Sequence, residues 1–241
     1  MFTTKYVRKI ADVPKEAWES VYPGELETYD YFRSLDESHF EQFDFYYVMV
    51  HEGERLVGAA PCFLMKYPLD TSVGGALRRF TNSVKERFPD IFSLKALVSG
   101  IPMGNGQIGL SGDKVEVLKA IQTAMEEIAR KEKAAIIAFK DLDETYSALF
   151  APLLKEGFVK IDSLPSAEMD IPFKNFEEYL KTLSSASRYD LRRKFKKVDG
   201  YVKIDLEITS VPSDEAFKEM YKLYLGMVDE HEMGFEIVPE D

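Results

Sequence analysis

The stretch FDFYYVMVHEGERLVGAAPCFLMK, at residues 43–66, decides the fold. Two runs rich in β-branched and aromatic residues flank a short polar turn, and this pattern predicts two antiparallel strands. Gly53 lies in the turn, where a tight hairpin needs a residue that tolerates a positive φ angle. Pro61 cannot donate a backbone hydrogen bond, so we expect it at a bulge or at a sheet edge.

Strand and helix signals alternate on both sides of this hairpin. The order of elements is a strand, two helices, the hairpin, a strand, a glycine-rich loop, a helix, a strand, a helix and two strands. Such alternation is typical of an α/β fold with a mixed sheet. The predicted strands outside the hairpin are 5–10, 94–98, 134–139 (central), 158–162 and 167–171; the predicted helices are 14–20, 29–38, 67–89 (inserted), 114–131 and 143–156.

The helix after residue 113 has the clearest pattern. Asp113 is its predicted N-cap, because a carboxylate there can accept hydrogen bonds from the first free backbone N–H groups. Its apolar residues recur at helical spacing and predict a buried stripe. The stripe consists of Val117, Leu118, Ile121, Met125 and Ile128.

After Pro172 the pattern of elements begins again. Helices are predicted at 176–183, 187–198 and 214–232, with a strand at 201–208. We therefore expect two domains, at 1–165 and 166–241.

Composition excludes several classes of protein. The net charge of −11 disfavours binding to nucleic acid or to an anionic membrane. No stretch approaches the roughly 20 apolar residues of a membrane helix, and no secretory signal is evident, so we expect a cytoplasmic protein. Cys62 is the single cysteine, and we expect its thiol to be buried and inert. The three histidines show no metal-ligand spacing, and we expect no metal site.

Three segments of the first domain resemble the general-control-type N-acetyltransferases (GNAT). They are the hairpin HEGERLVGAAP, the glycine loop SGIPMGNGQIGLSG between the fourth strand and the third helix, and the run LFAPLLKEGF. In the second domain, MDIPFKNFEEYLKTLSSASRYDLRRKFKKV resembles the tandem FemAB-like, or peptidoglycan-biosynthesis-like, acyltransferases. The resemblance implies a GNAT-like acyl-CoA N-acyltransferase fold, with one complete unit followed by part of a second.

This resemblance implies transfer of an acyl group from acyl-CoA or acetyl-CoA to a small-molecule or peptide-like amine. The donor is expected in a gap between the strands at 94–98 and 134–139, close to the glycine loop. The implied cofactor-binding residues are Val98, Gly104, Asn105, Gly106 and Gln107. The G-x-G-x-x-G match within this loop does not indicate a dinucleotide fold, because the next helix begins only after Asp113. A flexible surface loop is the alternative interpretation.

No catalytic residue is evident. The run LFAPLLKEGF resembles the fourth helix of the family, and some family members use a tyrosine in that helix four residues before the glycine that ends it. That glycine corresponds here to Gly157, so the tyrosine position is Leu153. Tyr146 is the only tyrosine in this helix and is a weak candidate for the acid. The departure puts chemistry by the first unit in doubt.

A basic face is predicted on the helix at 187–198. Arg188, Arg192 and Lys196 are spaced four residues apart and could bind a phosphate or carboxylate of the acceptor or of an acyl carrier. A solvated face is the alternative. Two further functions stay open: an aminoacyltransferase that uses charged tRNA on a cell-wall precursor, which is not favoured, and a non-catalytic GNAT-like binding module. The oligomeric state is not predicted.

Overall fold

The computed structural model describes residues 2–22, 28–68, 93–104, 106–162, 169–203, 205–230 and 238–239. These residues form two compact units, one within Met1–Ile161 together with residues 238–239, and the other within Asp162–Glu230. The division into a first domain at 1–165 and a second at 166–241 stays a prediction, as does the acetyltransferase-like character of the second.

The first unit is built on a mixed sheet. Its strands are β1 (Phe2–Val7), β2 (Asp44–Glu52), β3 (Arg55–Pro68), β4 (Ser93–Ser99), β5 (Gly109–Leu110) and β6 (Ile136–Phe139). The spatial order is β1-β2-β3-β4-β6, and the short β5 pairs with β3 beside this path. Neighbouring strands are antiparallel except for β4 and β6, which are parallel. The predicted α/β fold with a mixed sheet is thereby confirmed.

The predicted hairpin is present as β2 and β3. Glu52 pairs with Arg55, which leaves a two-residue turn, and Gly53 has a φ of +64° there. Pro61 lies inside the sheet, contrary to the expected edge or bulge, and the irregularity of this hairpin falls between Val50 and His51 instead. Pro61 follows the residues that pair with β5 and precedes those that pair with β4. On this side of β3 the hydrogen-bond ladder is interrupted at Pro61. We infer that the sheet accommodates a residue without a backbone N–H group for this reason.

Helices cover both faces of the sheet. A 3₁₀ turn (Ile10–Asp12), α1 (Lys15–Val21) and α2 (Tyr29–Glu37) contribute to the apolar cluster on one face. On the opposite face lie α3 (Lys114–Glu132), a second 3₁₀ turn (Glu144–Tyr146) and α4 (Ser147–Leu154). The sheet is therefore buried between two helical layers, and β2 and β3 supply side chains to both clusters.

Helix α3 agrees with its prediction. The Asp113 carboxylate accepts a hydrogen bond from the backbone N–H of Glu116, and the whole predicted stripe is buried. Cys62 is buried beneath this helix, and burial raises the pKa of its thiol to about 12. Because the neutral thiol is retained at physiological pH, the prediction of an inert cysteine is supported by its surroundings.

The two strands predicted after α4, at 158–162 and 167–171, are absent from the described residues of those stretches. Residues 158–162 and 169–171 have no ladder partner among the described residues, so β6 is an outer strand of the described sheet rather than a central one. The Phe158 backbone N–H is bonded to the Leu153 carbonyl, which continues the end of α4. Val159 and Ile161 are 78% and 85% exposed. These alternating apolar side chains therefore have no apolar surface to pack against.

The second unit is helical. It contains α5 (Phe176–Thr182), α6 (Ser185–Asp199) and α7 (Asp214–Glu230), and the rings of Phe176 and Phe195 join α5 to α6. The strand expected at 201–208 is absent from the described residues of that stretch. The inserted helix predicted at 67–89 lies outside the described residues apart from its start, which is the end of β3. None of the described helices is long and apolar enough to cross a membrane.

Candidate functional site

The carboxyl ends of β4 and β6 lie side by side where the sheet changes from antiparallel to parallel pairing. Ser99, the last residue of β4, is opposite Phe139, the last residue of β6. In open α/β sheets, ligands bind outside the carboxyl ends of the parallel strands. The chain segments that follow are the glycine loop after β4 and the residues Lys140 and Asp141 after β6.

The expected gap between these two strands is not present. The parallel ladder runs from the pair of Ala96 and Ile136 to the pair of Ser99 and Phe139. It continues past the strand ends, since the backbone N–H of Lys140 donates to the Ser99 carbonyl over 3.0 Å. The prediction of a cleft between the strands at 94–98 and 134–139 was therefore wrong for this conformation.

The Lys140 side chain anchors the first part of the glycine loop to the end of β6. Its ammonium nitrogen Nζ donates to the carbonyl oxygens of Ile101 and Pro102, both over 2.9 Å. The Ile101 side chain is fully buried among residues of α1 and α2. The Tyr31 hydroxyl of α2 donates to the Met103 carbonyl over 2.8 Å. The loop start is therefore anchored to both the sheet and a helix.

Gly106 fixes the second half of the same loop. Its backbone N–H donates to the Asp141 carbonyl over 3.0 Å, and a Cβ atom at this position would lie 1.8 Å from the Lys140 carbonyl oxygen. Gly104 has a φ of +143°, a region that side-chain-bearing residues rarely adopt. Gly106 is therefore needed for the close approach of loop and strand, and Gly104 for the backbone conformation of the loop.

The other predicted donor-binding residues lie nearby in the chain but not in one open groove. Val98 is buried in the cluster beneath α1 and α2, and Gln107 is buried as well. Asn105 lies outside the described residues. Binding of a donor by Val98 and the residues from Gly104 to Gln107 stays a prediction.

The start of α3 is poorly suited to a phosphate. Free N–H groups and the helix dipole favour anions at a helix N-terminus. Here the Asp113 side chain already occupies the Glu116 N–H, and both residues carry negative charge. A pyrophosphate at this position would face two carboxylates.

Tyr146, the candidate for the catalytic acid, is partly buried. Tyr146 packs into the apolar cluster on the α3 face, with its ring 6.3 Å from that of Phe150. Leu153 is buried in the same cluster. It is the position at which some members of the resembled family have a tyrosine. The adjacent Asp143 caps the 3₁₀ turn, and hydrogen bonding from Thr145 lowers the pKa of its carboxyl. The catalytic residue therefore remains unassigned.

Two of the three basic residues on this face of α6 form contacts within the second unit. Arg188 donates to the Lys181 carbonyl over 3.1 Å, and Arg192 pairs with Glu177 over 2.9 Å. Lys196 is exposed. The role of these three residues in acceptor binding stays a prediction.

Lys140 and Asp141 are the residues that sequence reasoning missed. They directly follow β6 and therefore lie at the carboxyl end of a parallel strand, outside which ligands bind in open α/β sheets. Asp141 also has a φ of +49°, which is uncommon for a residue with a side chain. The described residues contain no group of three or more side chains that could hold a metal ion.

We expect Lys140→Met to lower the free energy of unfolding by about 2 kcal/mol, since it removes charge-assisted bonds to two partly buried carbonyls. Urea unfolding followed by circular dichroism measures this change. Lys119→Met is the matched control, because Lys119 forms only an exposed pair with Glu116 and should change stability by less than about 0.5 kcal/mol. Equal effects of the two substitutions would contradict the anchoring role.

The chain is similar to several solved protein structures. An aminoglycoside N-acetyltransferase in complex with CoA is 10% identical over 71% of this chain and 96% of that chain, with a TM-score of 0.43. A ribosomal-protein-alanine N-acetyltransferase from Brucella melitensis biovar Abortus 2308 is 8% identical over 71% and 99%, with a TM-score of 0.39. A transcriptional regulator from Bacillus halodurans C-125 is 11% identical over 71% and 100%, with a TM-score of 0.41. No protein-family model and no curated protein matches the chain.

Proposed function

We propose that the chain is an acyltransferase that moves an acyl group from a coenzyme A-type thioester to an amine. The observation that supports this function is the topology of the first unit. Four antiparallel strands are followed by a parallel strand that is reached through α3, and the glycine loop lies within that crossover. This arrangement agrees with the element order on which the sequence resemblance rests as far as α4, whereas the two final strands of that order are absent from the described residues.

The closed ladder limits where the donor can bind. A pantetheine arm cannot pass between β4 and β6 while their hydrogen bonds extend to Ser99 and Lys140. In this proposal the donor lies across the outer surface of the strand ends, against the backbone from Gly104 to Gln107. The Lys140 side chain is about one quarter exposed, and its ammonium group lies 3.2 Å from the Asp141 carboxylate.

Calorimetric titration of the full chain with coenzyme A and acetyl-CoA, up to millimolar ligand, tests the proposal. We expect saturable binding, weakened several-fold by Lys140→Met, because this substitution removes both a charge and the anchor of the loop. Lys119→Met should bind like the unchanged protein. Absence of binding by the folded chain at millimolar ligand would reject the acyltransferase.

A non-catalytic binding module is the second candidate. The closed ladder and the buried leucine at position 153 favour it, because the unit lacks a gap between β4 and β6 and has no tyrosine at that position. The same titration separates the two functions. Donor binding together with release of free thiol in the presence of amines supports the enzyme, and absence of both supports the module.

A further inference from the structure

The carboxyl end of α6 and the turn that follows it carry apolar side chains that are largely exposed. Phe195, Val198, Tyr201 and Val202 are 51%, 41%, 79% and 57% exposed. The backbone N–H groups of Tyr201 and Val202 both donate to the Val198 carbonyl, over 2.8 and 2.9 Å, so the turn continues the winding of the helix. Residues three or four positions apart then share one side. These four side chains form an apolar stripe in contact with solvent, the apolar end of α6.

Basic residues flank this stripe on both sides. The stretch RRKFKKVDGYVK, at residues 192–203, contains six basic residues and one acidic residue. At about 3.6 residues per turn, Arg192 and Lys196 lie on one side of the stripe, and Lys194 and Lys197 lie on the other. All four side chains are exposed. The exposed apolar groups are therefore bordered by positive charge.

Two of these basic side chains are available to an external anion. The structure gives no ion pair to Lys196 or Lys197 among the residues that it describes. Arg192 and Lys194 pair with carboxylates of the same unit, each over 2.9 Å. Such exposed pairs contribute little to stability, so an external anion can compete for these cations as well.

We propose that the apolar end of α6 docks on the surface of an anionic lipid bilayer. Helices that lie on membranes combine exposed apolar and aromatic side chains with lysines and arginines beside them. The apolar groups enter the boundary between headgroups and acyl chains, and the long basic side chains keep their charges at the lipid phosphates. This docking does not depend on the proposed acyl transfer.

A bilayer fits this surface better than a soluble polyanion does. A single-stranded nucleic acid would pair with the lysines and could stack a base on Tyr201. It offers no apolar volume for the aliphatic side chains of Val198 and Val202, which would stay in water. The lipid boundary covers the whole stripe and so adds the burial of apolar surface to the attraction between charges.

The net charge of −11 restricts the contact to this part of the surface. At physiological ionic strength the Debye length is about 8 Å, so acidic residues farther than this from the lipid are largely screened. Lysines that touch the headgroups are not screened in this way. We therefore expect binding that is local to the apolar end of α6 and sensitive to salt.

Co-sedimentation of the full chain with sucrose-loaded vesicles tests the proposal. We expect binding to vesicles of phosphatidylglycerol and phosphatidylcholine in equal parts, none to phosphatidylcholine alone, and loss of binding between about 0.05 and about 0.5 M salt. Lys196→Gln with Lys197→Gln should lower the partition coefficient at least about tenfold, since each basic residue at an anionic surface contributes roughly a factor of five. Lys218→Gln with Lys222→Gln is the matched control, because it makes the same change of charge at exposed positions of α7 and should bind within about twofold of the unchanged protein.

A second variant separates a bilayer from other partners. Tyr201→Ser with Val202→Ser removes apolar surface without a change of charge, and circular dichroism checks that the fold is kept. We expect several-fold weaker binding to the anionic vesicles and unchanged retention of the protein by immobilised polyuridylate.

The proposal is overturned if the unchanged protein does not sediment with anionic vesicles at low salt, or if the α7 control loses as much binding as the Lys196 and Lys197 variant. Equal vesicle binding by the Tyr201 and Val202 variant would also overturn it, since only a charge contact would then remain. So would self-association without vesicles that the same substitutions abolish, because the occupant of the stripe would then be a second copy of the chain.

Discussion

Replacement of Gly106 with alanine is expected to lower the free energy of unfolding by about 3 kcal/mol. The added Cβ would lie 1.8 Å from the Lys140 carbonyl oxygen and 3.1 Å from the Asp141 carbonyl carbon. Both are backbone atoms, so no side-chain rotation can relieve the contact. The loop must move away from the end of β6 and lose its hydrogen bond to Asp141.

Urea unfolding measures this effect, and Gly226→Ala is the control. Gly226 lies inside α7, where an added Cβ would meet nothing within 4 Å. Alanine favours a helix interior over glycine by about 1 kcal/mol, so this control should be neutral or stabilising. If Gly106→Ala unfolded at the same urea concentration as the unchanged protein, the close approach of loop and strand would be refuted.

The local elements could be predicted because their signals are local. Gly53 in a polar turn predicts the hairpin, and Asp113 followed by an apolar stripe predicts α3. Both signals depend on residues within a few positions of each other. The structure places both elements where the sequence indicated.

The unformed strands show where local signals fail. Alternating apolar residues at Val159 and Ile161 are typical of a strand with one buried face. A strand also needs a neighbour for its hydrogen bonds, and the sequence does not indicate which neighbour is available. In the structure these residues have no ladder partner among those described, and their side chains stay exposed.

The closure of the candidate site was unpredictable for a related reason. It depends on Lys140 reaching the carbonyl of Ile101, a residue 39 positions earlier in the chain. From the sequence, a lysine after a strand is expected to be a solvated surface charge. No residue near Lys140 in the chain indicates that its ammonium group donates to distant carbonyl groups. The glycine loop could therefore be located from the sequence, whereas its anchoring to the strand ends could not.

Trp18 holds the cluster between the sheet and the first two helices, and Trp18→Ala is expected to lower the free energy of unfolding by about 4 kcal/mol. The indole is fully buried, and its ring centre lies 5.2 Å from that of Tyr22, 5.5 Å from Phe32 and 5.6 Å from Tyr47. Loss of the ring removes contacts between α1, α2 and β2 at once, and the rigid sheet can fill little of the cavity.

Trp18→Phe is the matched variant and should lower stability by about half as much, because it keeps an aromatic ring against the same neighbours. Circular dichroism is the suitable measurement, since Trp18 is the only tryptophan and its fluorescence is lost in both variants. The three free energies of unfolding should increase from the alanine variant to the phenylalanine variant to the unchanged protein. Equal stability of the alanine variant and the unchanged protein would show that α1 does not pack on the sheet through this ring.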